Sequence, residues 1–174
     1  MKRSIAAGLL AALVAVSSPA SAALNAYLQL SGKTQGDIKG SVTQKGRENK
    51  IMIVAVDHEV KNDKGKQHGL FTITKELDRS SPQLYRALAS AEPMSKFELQ
   101  FWTPQISAAT GTGAERQHYT VTLTNARIVG IKFKMLNNKN PELMKYAEYE
   151  EISFTYDAIA WTWTETGVSA TDTR

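Results

Sequence analysis

A chain of 174 residues with 21 Lys and Arg against 17 Asp and Glu carries a formal charge of only +4, and it has no cysteine. The missing thiols exclude disulfides, thiolate metal sites and a cysteine nucleophile. So slight a positive balance argues against a nucleic-acid partner, because phosphate-backbone binding needs clustered cations.

Residues 1–22 have the layout of a secretory signal peptide. Lys2 and Arg3 form a positive start, residues 5–16 are an apolar run broken only by Gly8, and Ala20-Ser21-Ala22 is a small-residue cleavage site. The run is too short to span a bilayer, which takes roughly 20 apolar residues. Removing 22 of the 174 residues leaves 152 beginning at Ala23, with a charge of +2. That length supports one ordinary core, so residues 23–164 are expected to form one domain. Residues 165–174 are expected to be a flexible polar tail.

Residues 24–30 alternate, with Leu24, Ala26, Leu28 and Leu30 on one face of a first strand. A polar loop follows to Arg47, with a short strand around residues 38–43. Residues 50–56 are apolar on both faces and lead into Asp57 and His58, the pattern of a strand that begins buried and ends exposed. Residues 61–66, with Gly65 late, form a hairpin turn. Residues 68–76 return as the next strand.

Ser81 as N-cap and Pro82 at the first helical position open one helix, with Leu84, Tyr85 and Leu88 sharing a face; it ends near Ser90, before Glu92-Pro93. Later strands place Phe97, Leu99 and Phe101, then Tyr119, Val121 and Leu123, on inward faces. Between them lies a small-residue loop, residues 105–114, with Gly111 and Gly113 as its mobile points. Val129, Ile131, Phe133 and Met135 share one face, opposite Lys132 and Lys134. Residues 137–147 form an excursion with a helical turn after Asn140-Pro141. In residues 148–163 the apolar parity runs 152, 154, 156 and then 159, 161, 163. The slip at Asp157-Ala158 marks a β-bulge that bends one long strand. The fold class is mainly β: a small barrel of two antiparallel sheets with one flanking α-helix.

Four blocks carry a family resemblance. They are residues 26–30 with 36–42 (A-Y-L-Q-L and G-D-I-K-G-S-V), residues 51–60 with Asp57-His58, residues 123–129 (L-T-N-A-R-I-V), and the order T-K-E-L-D-R-S-S-P-Q-L-Y over residues 74–85. With the final strand E-Y-E-E-I-S-F-T-Y-D-A-I-A-W-T-W, they resemble the haemolysin-coregulated (Hcp) proteins, tube subunits of bacterial type VI secretion. The resemblance covers roughly residues 24–172. It implies a two-sheet barrel that forms six-membered rings. The rings stack into a tube that a contractile sheath propels with a spike protein at its tip, and the lumen carries small effectors. It implies a structural protein that is no enzyme, with no catalytic residues and no cofactor.

Two features depart from the family pattern. Tube subunits normally lack a cleavable signal, and the hairpin between His58 and His68 is short where the family has a longer loop that touches the next ring. The leading expectation is a secreted, ring-forming tube subunit. The alternative is an exported relative whose isolated rings hold cargo in the periplasm or outside the cell. A third reading, a secreted all-β hydrolase or lectin, has no motif behind it.

Other candidates for chemistry weigh less. His58, His68 and His118 lack the helical spacing of a zinc site and read as strand-end histidines making ordinary hydrogen bonds, so no metal is expected. Glu150 and Glu151 point to opposite faces of a strand and cannot share a proton, which removes a glycosidase pair. No G-x-S-x-G elbow occurs, and Gly111-Thr112-Gly113 is no phosphate loop. Trp102, Trp161 and Trp163 read as core or subunit-interface packing ahead of a sugar-stacking shelf.

Overall fold

The computed structural model describes residues 24–105 and 114–174. The export-like segment at 1–22 and the glycines of the 105–114 loop lie outside the described residues. In chain order the elements are β1 (Asn25–Gly32), β2 (Gly36–Ile38), β3 (Ile51–Ile53), β4 (Ala55–Asp57), β5 (Val60–Asn62), β6 (Lys66–His68), β7 (Phe71–Glu76) and α1 (Ser81–Ala89). They continue as β8 (Met94–Gln105), β9 (Ala114–Thr124), β10 (Arg127–Lys134), β11 (Tyr149–Thr155), β12 (Ala158–Trp163) and β13 (Val168–Thr173). The protein is mainly β, as expected, with one helix among the described residues.

The larger sheet runs β13-β12-β9-β8-β1, and β2 and β3 both pair with the far edge of β1. The smaller runs β10-β11-β7-β4, and β5 with β6 forms a separate ribbon. Every ladder is antiparallel. Alternation explains the single core that both sheets share: Ala26, Leu28 and Leu30 of β1 meet Phe97 and Leu99 of β8, Phe71 and Ile73 of β7, and Ile152 and Phe154 of β11. Phe97 stands at its centre, edge-on to Phe71 at 5.5 Å and to Phe154 at 5.1 Å.

The chain crosses between the two sheets four times, at β3–β4, β7–β8, β9–β10 and β11–β12, and two of these crossings are corners inside apolar runs. At Val54 it leaves β3 in the larger sheet for β4 in the smaller, where the Val54 amide donates to Thr74 O at 2.8 Å. At Tyr156-Asp157 it leaves β11 for β12, and the Asp157 amide donates to Thr124 O at 3.0 Å. The second corner is the parity slip read at Asp157-Ala158. These corners couple the two sheets, and among the described residues no ladder closes them into one continuous barrel. Gly40 lies where the chain approaches β3: a Cβ there would fall on the Lys50 carbonyl and Ile51 Cα, and its amide donates to Asn49 O at 2.8 Å.

Several expectations change. The segment after Thr164, expected as a tail, contains a strand: Gly167, at φ +71°, turns the chain so that Val168–Thr173 pairs along the whole of β12. Its polar composition masked three β-branched residues, Val168, Thr171 and Thr173, that suit a strand. Val129 does not share a face with Ile131. A bulge between Ile128 and Gly130 buries Ile128 and turns Val129 outward. Leu24 is exposed, as are Met52 and Val54, so the 50–56 strand is apolar on both faces but buried on one.

The helix begins one residue differently. Ser80 is the N-cap, and Ser81 lies inside the first turn. Leu84 and Ala87 form the buried face with Leu88 packed beside them, while Tyr85 points outward. The short strand expected at residues 38–43 is instead β2, which forms a hairpin with β1 over Gly36 at φ +73°.

Candidate functional site

The T-K-E-L-D-R-S-S-P order has a physical role. Lys75 continues the inward set Phe71, Ile73 on β7, and Glu150 continues the inward set Ile152, Phe154 on β11. The register sets the two residues directly opposite each other. Both are fully buried, with Lys75 Nζ donating to Glu150 Oε1 at 2.8 Å. Ser81 Oγ donates to the same carboxylate oxygen at 2.7 Å and lies 3.0 Å from Lys75 Nζ. Asp78 Oδ1 sits 3.0 Å from Lys75 Nζ and accepts from the Ser80 amide at 2.9 Å and from the Ser80 hydroxyl.

This network rivets α1 to the sheet and takes the place of a Ser81 side-chain cap. Burial opposes the Asp78 charge, but the Ser80 hydroxyl, Lys75 and the Ser80 amide outweigh it and hold the carboxyl below its ordinary range. Glu151 points outward to Lys134 at 2.5 Å, so the two glutamates do face opposite ways.

The histidines are hydrogen-bonded or packed. His58 Nε2 lies 2.6 Å from Tyr156 Oη, His68 Nδ1 lies 3.0 Å from the same oxygen, and His68 Nε2 lies 3.0 Å from Asp172 Oδ2. His118 is the extra residue of a bulge where β9 pairs with β8, and its ring meets Trp163 at 5.6 Å. The tryptophans do not share one surface: Trp161 and Trp163 lie on one face of β12, while Trp102 stacks on the Arg47 guanidinium at 4.6 Å, with Tyr27 on that guanidinium too. Among the described residues no group of three His, Cys, Asp or Glu converges as metal ligands would.

The smaller sheet ends in two edges with different chemistry. One edge of the smaller sheet is β10, eight residues long, whose outer side carries among the described residues only the single Pro93–Arg127 bridge at its start. It exposes Val129 and Phe133, and Met135, Met144 and Tyr146 are exposed in the segment that follows. Arg127 and Lys132 are exposed on the same strand.

The opposite edge is β4, and beside it Met52 of β3, Val54 at the corner into β4 and Leu77 just after β7 are exposed around a groove of about 360 Å³ that is also lined by Val42, Glu76 and Asp78. Asp57 and Glu76 add exposed negative charge there. Unpaired strand edges invite pairing with another chain, and contiguous exposed apolar groups mark contact surfaces. Two unlike patches on opposite edges of one sheet suit head-to-tail contacts, which close into a ring when the rotation permits. Their opposite charges favour one orientation.

Fold and surface therefore define a two-sheet, mainly β protein with open strand edges on its smaller sheet. The chain belongs to the Hcp family of type VI secretion. The family model described as "Type VI secretion system effector, Hcp" matches residues 27–163. A relative named "Major exported protein", from Pseudomonas aeruginosa, is 34% identical over 165 residues, covering 84% of this chain and 93% of that one. Among solved structures, the secreted protein Hcp3 of Pseudomonas aeruginosa is 32% identical with a TM-score of 0.72, and Hcp1 of E. coli is 28% identical with a TM-score of 0.73. Each match covers 87% of this chain and 98% of the other.

Proposed function

We propose that this protein is the ring-forming subunit of a type VI secretion tube, leaving the cell with effectors held in the ring lumen. It acts by assembly and not by catalysis, without a cofactor. Its partners are copies of itself in rings of six, a spike protein, a contractile sheath and small effector cargo. Family membership supports the reading, as does the name of the exported relative. The observation that carries it is the pair of unlike apolar patches at β10 and β4, on opposite edges of one sheet.

The second reading is an exported relative whose isolated rings hold cargo in the periplasm or outside the cell. Residues 1–22 favour it through their charged start, apolar run and Ala-x-Ala site. So does the short ribbon of β5 and β6, whose strands are three residues each.

The test is the mass of the purified protein by size-exclusion chromatography with light scattering, with the N-terminus sequenced from periplasmic and culture fractions. Six chains per particle is the expected mass. An Ala23 start selects the exported reading, and a Met1 start selects the tube reading. A single-chain mass under conditions that preserve the fold contradicts both.

A further inference from the structure

Among the described residues, hairpin β5–β6 makes no ladder with either main sheet, and β13 pairs only with β12. Side chains of both meet the body at one place, around Tyr156 at the corner between β11 and β12. Tyr156 and His68 are buried, and His58 is half-buried. Asp172 of β13 reaches His68 at 3.0 Å and Lys66 of β6 at 2.5 Å. Arg174 closes over the Tyr156 ring at 5.7 Å, and its amide donates to Asp157 O at 2.9 Å.

The protons in this chain have only one arrangement when both histidines are neutral. The hydrogen bond from Lys66 outweighs burial and keeps Asp172 ionised at neutral pH, its carboxyl below the ordinary range, so Asp172 can only accept. His68 must therefore donate through Nε2, which leaves its Nδ1 bare. The Tyr156 hydroxyl then donates to that Nδ1. The tyrosine oxygen in turn accepts from His58 Nε2–H. Every polar atom in the run from His58 to Asp172 is satisfied.

One added proton can be absorbed. A charged His58 still donates through Nε2. A charged His68 donates through Nδ1 to the tyrosine oxygen, and the hydroxyl then turns to a bare His58 Nε2. Two added protons cannot be absorbed, because both rings then donate to one oxygen and the buried Tyr156 O–H has no acceptor left. The two cationic rings would also stand 6.2 Å apart.

We propose that the His58–Tyr156–His68–Asp172 chain is an acid-released latch, holding hairpin β5–β6 and strand β13 to the body until both histidines are protonated. The charges around it act in a consistent direction. Burial, the neighbouring His68 and Arg174 disfavour a charged His58, and only Asp57 opposes them, so its protonated form is held back below the ordinary value of 6.5. A group held neutral in the folded state contributes stability that is whole above that value and is lost as pH falls beneath it. Phe71, against the His58 ring at 5.2 Å, adds no charge.

Hydrogen exchange of the intact protein between about pH 8 and about pH 5, corrected for the intrinsic rate, tests the latch. Residues 60–68 and Val168–Thr173 are expected to lose protection about tenfold or more together at the acid end, while β1 and β8 stay protected. His58→Gln cannot take the second proton, so its two segments should stay protected across the range. Protection that is flat with pH in the native protein, or lost equally in His58→Gln, overturns the latch. Ring-nitrogen NMR at neutral pH gives an independent reading on the unaltered chain: both histidines should carry the proton on Nε2, and a His68 protonated on Nδ1 alone contradicts the proposal.

Discussion

Replacing Lys75 with Met is expected to lower the unfolding free energy by about 3–5 kcal/mol, because it strands a buried carboxylate. Glu150 would keep only the Ser81 hydroxyl as a donor, and its Oε2 already has no protein partner. Asp78 would lose its cation at the same time. Proteins of this kind are stable by about 5–15 kcal/mol, so the variant should approach unfolding at moderate urea. Replacing both charges with apolar residues of similar volume, Lys75→Met with Glu150→Leu, should recover most of the loss, since nothing charged is then left in the core.

A drop in the urea midpoint at unchanged slope, rescued by the second substitution, is the expected pattern. A loss of no more than about 1 kcal/mol in the single variant would mean that the pair does not rivet the helix. Acid acts on the same network from the other side. The Asp78 carboxyl is held below its ordinary value of 3.8, so its contribution is whole above that value and is lost as pH falls beneath it.

Val54→Asp should leave the fold intact and remove assembly. Val54 is 62% exposed, so the single chain tolerates a charge there, within about 0.5 kcal/mol. In the proposed ring the same side chain would face a neighbour's β10 edge, where Val129 and Phe133 are exposed, and a buried unpaired carboxylate would have no partner there. A loss of about 2 kcal/mol at each contact weakens it about 30-fold, and every subunit carries the change. Light scattering should show single chains with an unaltered circular dichroism spectrum. A full-sized particle from Val54→Asp would place the contact elsewhere.

Much of the fold was legible because alternation is a strong signal where one face is buried. Leu28, Leu30, Phe97, Leu99, Val121, Leu123, Ile152 and Phe154 all fall inward as their spacing indicates. The corner at Asp157-Ala158 was legible as a change of parity, although not as a change of sheet. The corner at Val54 was hidden, because residues 51–56 are apolar at every position and show no parity to break. The bulge at Val129 was hidden for a related reason: Ile128 and Val129 are both apolar, so either could have been the inward residue.

The buried charges were recoverable from the same pattern. Lys75 sits two residues beyond Ile73, and Glu150 two before Ile152, each in phase with an apolar set. A lysine and a glutamate both in phase with a core face imply each other. Tyr156 was legible as inward, but its partners were not. Asp172 lies in a stretch whose composition reads as a tail, and pairing of β13 with β12 alone carries it to His68. The open edges were the least legible, because which strand ends a sheet depends on ladder order and not on any local pattern.

In the proposed ring β10 of one copy meets the Met52-Val54 edge of the next, and a sequence without cysteine allows a direct test. Val54→Cys, Phe133→Cys and the double variant would each be treated with a short bifunctional thiol reagent. A ladder of covalent multimers ending at six is expected for the double variant, and no covalent dimers for either single variant, because each contact joins unlike edges. Dimers from a single variant, or no products from the double variant while the particle is intact, would contradict that arrangement.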